Sequence, residues 1–309
     1  MLIDQVSQSG AHCRLLSTSA HSAVCDSQQH QRYHLQHGPI DIVADFFGDE
    51  GLIDQAIKLV WHKFQTILQE LAWQLPVLRT SANTTASHLF EGDTAKRMHH
   101  AVMPFSQDFI TPMAAVAGSV ADTLLATMDQ IALNKVIINN GGDIAARAKI
   151  GESIHVQLLA PSGVLNLAGL GQRQYGIATS GWSGRSFSLG VADAVTVIAS
   201  CAAAADAAAT MIANRVGEGC AHPAIRRSPA TALKDDTDLG DRLVTTAVGP
   251  LPLDLIKQLL GSGAAFADDC LRTGKILAAS LFLQGESVIV SGGTNPFILQ
   301  QAALPMDSM

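Results

Sequence analysis

The chain has 309 residues, 48% of them hydrophobic and 15% charged, which is enough apolar side chain for one large core or two closely joined ones. Its net charge is -7 and it has no Lys/Arg run, which excludes a basic nucleic-acid surface. Five cysteines with no CxxC pair argue against a disulfide framework or a cysteine-only zinc site, and fit a reducing, cytoplasmic setting.

Residues 1–30 are rich in Ser, Gln and His and show no usable periodicity. They read as a flexible polar arm ahead of a single integrated domain over residues 31–309. The first twenty residues have no apolar h-region and so no signal peptide. His12, His21, His30, His34 and His37 follow no zinc spacing. Arg32 to Gly48 reads as extended chain turning near Gly38-Pro39. An amphipathic helix is predicted from Glu50 to Leu75, with Trp61 and Trp73 on a core-facing stripe and Pro76 as its stop.

A second helix is predicted after Thr111-Pro112, the threonine capping it and the proline opening its first turn. KVIINNGGDIAARA then reads as a buried strand ending in a glycine turn. SIHVQLLA, LNLAGL, QYGIATSG and DAVTVIAS are further strand candidates, followed by the alanine helix AAAADAAATMIAN from Ala202 to Asn214. A polar connection runs from Gly217 to Asp241. After it come the strand RLVTTAVG, one or two helices between Leu253 and Thr273, and a strand pair in ILAASLFLQGESVIVSG. The longest apolar run, Val191 to Ala213, is alanine-rich and carries Asp193 and Asp206, so no membrane span is expected. The interleaving predicts a mixed α/β (α+β) fold with mixed sheets. ADTLLATMDQIA and ADAAATMIAN echo one another, since each sets a carboxylate and a threonine on a small-residue helix. Such helices are compatible with a homodimer.

Four pieces could carry chemistry. Asp206 and Thr210 stand at i and i+4 on one helix face, an oxygen pair suited to a hard cation such as Mg2+. On spacing alone, a solvated or helix-start carboxylate is the plainer account. Asn139 to Ala145, NNGGDIA, allows close backbone approach to a ligand, or is a structural turn with Asp143 as its cap. Thr179 to Gly190, TSGWSGRSFSLG, carries Arg185 and can hold an anion or act as a plain connection. AHPAIRRSPA offers Arg226 and Arg227 to a phosphate or carboxylate, with a solvated surface loop as the default.

The order of these segments is more specific than any one of them. TPMAAVAGSVAD, NNGGDIA, ATSGWSGRSFS, VTVIA and ADAAAT, in that sequence, resemble the ApbE-like family, whose best-known members are FAD:protein FMN transferases. The wording is closest to an ApbE-like branch also labelled thiamine-biosynthesis-like. The resemblance is close from Thr111 to Asn214 and looser elsewhere. It implies an ApbE-like fold around a flavin-nucleotide pocket, magnesium as cofactor, FAD or FMN as substrate or ligand, and an acceptor flavoprotein as partner. It also implies that Asp206 and Thr210 are side-chain ligands of the magnesium, completed by the Ala117 carbonyl. Asn140, Gly141, Gly142 and Asp143 would then border the nucleotide, with Thr179, Ser180, Gly181 and Arg185 on the loop that shares its pocket.

Two family features are absent. The family's AKG has a lysine, whereas Ala117 is followed directly by Gly118. The transferases' H-I-x-D-P-x-T-G segment has no counterpart, and no histidine lies between His155 and His222. The resemblance therefore leaves three readings open: a magnesium-dependent flavin transferase or FAD pyrophosphatase, a protein binding another ring-bearing ligand such as a pterin, and a non-catalytic flavin-binding accessory protein.

Overall fold

In the computed structural model of the chain, the described residues are 4–23, 26–84, 87–159, 162–167, 174–293 and 295–299. A ten-stranded sheet is the frame. Its strands are β1 (Asp4–Val6), β2 (His12–Ala23), β3 (Asp26–His37), β4 (Ile40–Gly48), β5 (Lys135–Asn140), β6 (Asp143–Ala148), β9 (Gln174–Ser180), β10 (Ala194–Ala199), β13 (Ala278–Leu283) and β14 (Glu286–Ser291), in that spatial order. Strands β7 (His155–Leu159), β8 (Ser162–Asn166) and β15 (Phe297–Leu299) form a smaller sheet, and β11 (Ile225–Pro229) pairs with β12 (Leu243–Val248). The mixed α/β class holds. The sheets expected to be mixed are antiparallel in every pair described.

Period-2 alternation along the strands separates two cores. On one face, Ile138 and Ala145 join helices α1 (Glu50–Trp73) and α4 (Val116–Ala126). Further along that face, Ala178 and Val197 pack on α5 (Ala202–Arg215) and α6 (Leu253–Arg272). On the other face, Ile144, Tyr175, Ile177 and Ile198 meet Leu165 and Phe297 of the small sheet. The short helix α2 (Leu75–Leu78) and helix α3 (Gly92–Val102) complete the helical elements among the described residues. Sequence reading missed α3 because its buried face includes Thr94 and His99 beside Ala95, Met98 and Val102.

The expected polar arm at residues 1–30 is corrected: β1, β2 and the start of β3 extend the main sheet. Ala11, Cys13, Tyr33 and Leu35 alternate into the core, and the polar residues between them, His12, Arg14 and Gln36 among them, form the outer face. A sheet end with one wet face needs few apolar residues, so composition alone is misleading there. Three smaller expectations also change. Trp73 is 79% exposed while Trp61 is buried, because α1 ends at Trp73 and Pro76 opens α2. Thr111 makes no capping bond; its hydroxyl donates to the Asp238 carboxylate, and a 3-10 turn over Pro112–Ala115 precedes α4. The polar connection from 217 to 241 contains β11 and a 3-10 turn, Ala230–Ala232.

Candidate functional site

The small residues of α4, α5 and β9 allow an unusually close junction. A Cβ on Gly118 of α4 would stand 2.3 Å from the Ala202 carbonyl oxygen, and one on Gly176 of β9 would stand 1.9 Å from the Cys201 carbonyl carbon. The start of α5 is thus held between α4 and β9. Its first amides are satisfied from across the junction: Asp122 of α4 accepts from the Ala202 amide (3.0 Å) and the Ala203 amide (2.8 Å). In return, Asp206 of α5 accepts from the Gly118 amide at 3.0 Å and from the Ala117 amide at the start of α4.

Strand alternation brings a second carboxylate to the same place. Asp143 shares a face of β6 with Ala145, which packs in the core that holds α4 and Ala202. Asn140, opposite it in the β5–β6 hairpin, donates its Nδ2 to the Ala117 carbonyl at 3.1 Å. Burial lifts Asp206 well above the usual carboxylate range and the Asp143 charge adds to the rise, while the Gly118 and Ala117 amides oppose it. Burial lifts Asp143 to about 7, against the lowering effect of the Thr179 amide and the Arg185 charge. Both residues keep a partly exposed edge, as does Thr210 one turn beyond Asp206.

The hairpin turn is made by Gly141 and Gly142, both at positive φ (64° and 116°). The Gly142 amide donates to Asn139 Oδ1 at 2.8 Å, and the Gly141 carbonyl accepts from Arg185 Nη2 at 3.1 Å. A Cβ on Gly141 would lie 1.7 Å from that same nitrogen, so the missing side chain makes room for the guanidinium.

The T-S-G residues divide their roles. Thr179 gives its amide to Asp143, but its side chain is on the opposite sheet face, bonded to Thr196 Oγ1 at 2.8 Å. Ser180 falls on the helix-facing side by alternation. Gly181 fits tightly, since a Cβ there would meet the Asp193 carbonyl oxygen at 2.3 Å. Asp193, read from sequence only as an interruption of an apolar run, anchors this loop. It accepts from the Trp182 indole at 2.9 Å and from the Gln284 amide at 2.7 Å. Asp122 and Asp193 hold the segments around the site in place, roles not read from the sequence, where the signal for each is a lone carboxylate in an apolar segment. The His222 Nδ1 accepts from the Ala224 amide at 3.2 Å within its own turn.

The donors gathered here fit a hard divalent cation. Two carboxylates whose proton affinity burial raises, a hydroxyl and a carbonyl are all oxygen donors, the type magnesium takes alongside retained waters. Among the described residues no group of three or more His, Cys, Asp or Glu is placed to hold a metal. A cation at this site would therefore depend on the Ala117 carbonyl, Thr210 and water as well as on carboxylate.

A family model described as "AbpE bacteria" matches residues 23–289. The chain belongs to the AbpE bacteria family. Relatives of this AbpE-family chain include a UPF0280 protein of Methanopyrus kandleri, 36% identical over 160 residues, covering 50% of this chain and 61% of that protein. A UPF0280 protein of Methanocaldococcus jannaschii is 40% identical over 113 residues, covering 34% and 44%. The chain thus spans less than two thirds of the length of either relative. Among solved structures, apo flavinyl transferase ApbE of Pseudomonas stutzeri is 13% identical with a TM-score of 0.36, covering 91% of this chain and 96% of that one. Flavin transferase ApbE of Vibrio cholerae is likewise 13% identical with a TM-score of 0.36, covering 91% and 99%. No helix among the described residues is long and apolar enough to cross a membrane.

Proposed function

We propose that this chain binds FAD beside a magnesium ion and cleaves its diphosphate. The observation that carries this reading is the crowding of Asp143 and Asp206, two half-buried carboxylates, next to the Gly141-Gly142 turn and the Arg185 guanidinium. A place for a cation and a place for an anion adjoin one another, which is what recognition of a metal–diphosphate requires. The motif order that resembles the FAD:protein FMN transferases supplies the flavin.

Asp206, Thr210 and the Ala117 carbonyl would hold the magnesium. When bound, it supplies neutralisation of the diphosphate and of the charge that develops as the P–O bond breaks. The side-chain-free Gly141-Gly142 turn admits the phosphates close to the backbone, and Arg185 binds a phosphate oxygen. Asn140 fixes the Ala117 carbonyl by its hydrogen bond. In the hydrolytic form, FAD and water give FMN and AMP. In the transfer form, the hydroxyl of an acceptor flavoprotein takes the place of water.

The test is to incubate the protein with FAD and magnesium, with and without a candidate acceptor flavoprotein, and to separate FMN, AMP and flavinylated protein chromatographically. FMN and AMP, or protein-bound FMN with AMP, should form with wild type and be lost on chelation and in Asp206→Ala. If FAD binds equally to wild type and Asp206→Ala and stays intact, the reading is wrong. The missing lysine beside Ala117 and the missing histidine segment favour, as a second reading, an uncleaved ring-bearing ligand. A binding screen that retains pterins but not flavins would select it.

A further inference from the structure

The far end of α5 borders a cavity of about 470 Å³. None of its lining residues belongs to the Asp143–Asp206 cluster. The segment Ser188–Gly190 crosses the end of α5 beside it, pinned by the Leu189 amide to Asn214 Oδ1 at 2.9 Å. Thr245 of β12 ties the same segment down from the other side, donating its amide to the Ser188 carbonyl at 2.8 Å.

Three arginines and two carboxylates face this space. Both carboxylates are taken by one arginine: Arg215 pairs with Asp108 at 2.7 Å and with Glu218 at 2.8 Å. Among the described residues, neither of the other two arginines pairs with a carboxylate. Arg227 is half-buried and held in place by the carbonyls of Cys220 (2.6 Å) and Gly217 (2.8 Å). Arg242 is exposed, lies with its guanidinium 3.2 Å from the Phe109 ring centroid, and donates to the Leu239 carbonyl at 3.1 Å. The cavity thus has surplus positive charge on a chain whose net charge is -7. Met211, Leu189 and Leu243 add apolar wall.

Backbone carbonyls and an aromatic face orient these two guanidiniums without neutralising them. Preset forks of this kind suit carboxylate or phosphate oxygens. The volume falls in the usual range for a small-molecule pocket, and the apolar wall suits a ring or short chain. The geometry points to a second ligand site, in which Arg227 and Arg242 bind the carboxylate or phosphate of a small organic anion and Met211, Leu189 and Leu243 receive its apolar body. Of the arginine pair in AHPAIRRSPA, Arg227 therefore faces the cavity. Arg226 is exposed on β11 and is not part of its wall.

Phenyl phosphate, benzoate, inorganic phosphate and neutral benzamide serve as probes, titrated calorimetrically into the full chain. Phenyl phosphate or benzoate should saturate the wild type, and benzamide should not. Arg242→Gln, at an exposed position that leaves the fold intact, should weaken the binding about tenfold or more. Arg227→Gln should weaken it similarly, with circular dichroism reporting whether its turn survives. Arg185→Gln should leave it within about twofold, because Arg185 belongs to the other site. The proposal is overturned if neither aromatic anion saturates, if Arg242→Gln binds like wild type, or if only Arg185→Gln loses binding. It is also overturned if inorganic phosphate binds as tightly as phenyl phosphate.

Discussion

Asp122 and Asp206 satisfy each other's helices. Asp122, on α4, accepts the Ala202 and Ala203 amides that open α5, and Asp206, on α5, accepts the Gly118 and Ala117 amides near the start of α4. The two segments that echo each other in sequence are therefore reciprocal in space. An isolated carboxylate in an alanine helix has a structural reason before any ligand is considered: free amides at a helix start need an acceptor, and the local cap residue, Cys201, supplies none.

Removing the Asp122 carboxylate should accordingly weaken α5. Asp122→Ala is expected to cost about 1–2 kcal/mol, the range for losing a helix-capping side chain, because two amides lose their acceptor. Asp122→Asn keeps one acceptor oxygen and should cost less. Urea denaturation of the three proteins checks the ranking. Equal midpoints for wild type and Asp122→Ala would remove the cap from the account.

The close helix junction predicts a contrast between two glycines. Gly118→Ala places a methyl against the Ala202 backbone, which has no soft end to yield, and should cost about 1–3 kcal/mol through overpacking. The same change would push Asp206 away from Ala117, so magnesium should no longer stabilise the variant. At Gly141 the atom in the way is the end of a flexible side chain, Arg185 Nη2, and the backbone penalty at φ +64° is about 1–2 kcal/mol. Gly141→Ala should therefore stay folded and lose ligand affinity, because Arg185 is displaced. Thermal melts with and without magnesium, beside FAD titrations of both variants, separate the two behaviours.

Helices α1, α4, α5 and α6 and the inner strands were legible in the sequence, and Asp206 through its isolation, whereas α3 was hidden by the Thr94 and His99 on its buried face. It did not show Thr179 turning away from the site. That follows from register, since Tyr175 and Ile177 commit the odd positions of β9 to the opposite core. Nor did it show Asp143 and Asp206 meeting, because β6 and α5 are distant in the chain and only the sheet order unites them. The outer strands were hidden for a different reason: β2 and β3 alternate polar and apolar residues on a one-sided sheet, and serines, glutamines and histidines dominate the count.

A variant lacking residues 1–23 tests that correction. The cut removes β1 and β2, takes Ala11 and Cys13 out of the core, and opens the edge of β3. Lower stability and concentration-dependent association are expected, measured by urea midpoint and light scattering. A mobile arm could be removed with no change in either.

The last prediction concerns pH. Asp143 and Asp206 hold protons more tightly in the folded chain than in the unfolded one, where the ordinary value is 3.8. Across the window from 3.8 up to about 7 for Asp143, the folded state therefore carries more protons. Stability rises with pH only where the unfolded state carries more, so here it must fall as pH rises through that window. The contribution is complete below 3.8 and lost once pH passes the folded-state values. A divalent cation opposes this loss by taking the protons' place, and it stabilises by mass action only where it displaces them easily. In chelator, the urea midpoint should be lower at about pH 8 than at about pH 5. Magnesium should raise the midpoint more at the higher pH, and isothermal titration at about pH 6, where Asp143 still holds its proton, should register proton release into the buffer. Asp143→Asn should flatten the pH dependence, because the neutral amide removes one of the two crowded charges. If magnesium leaves the midpoint unchanged at the higher pH, the carboxylates are serving only the helix junction and the cation site does not exist.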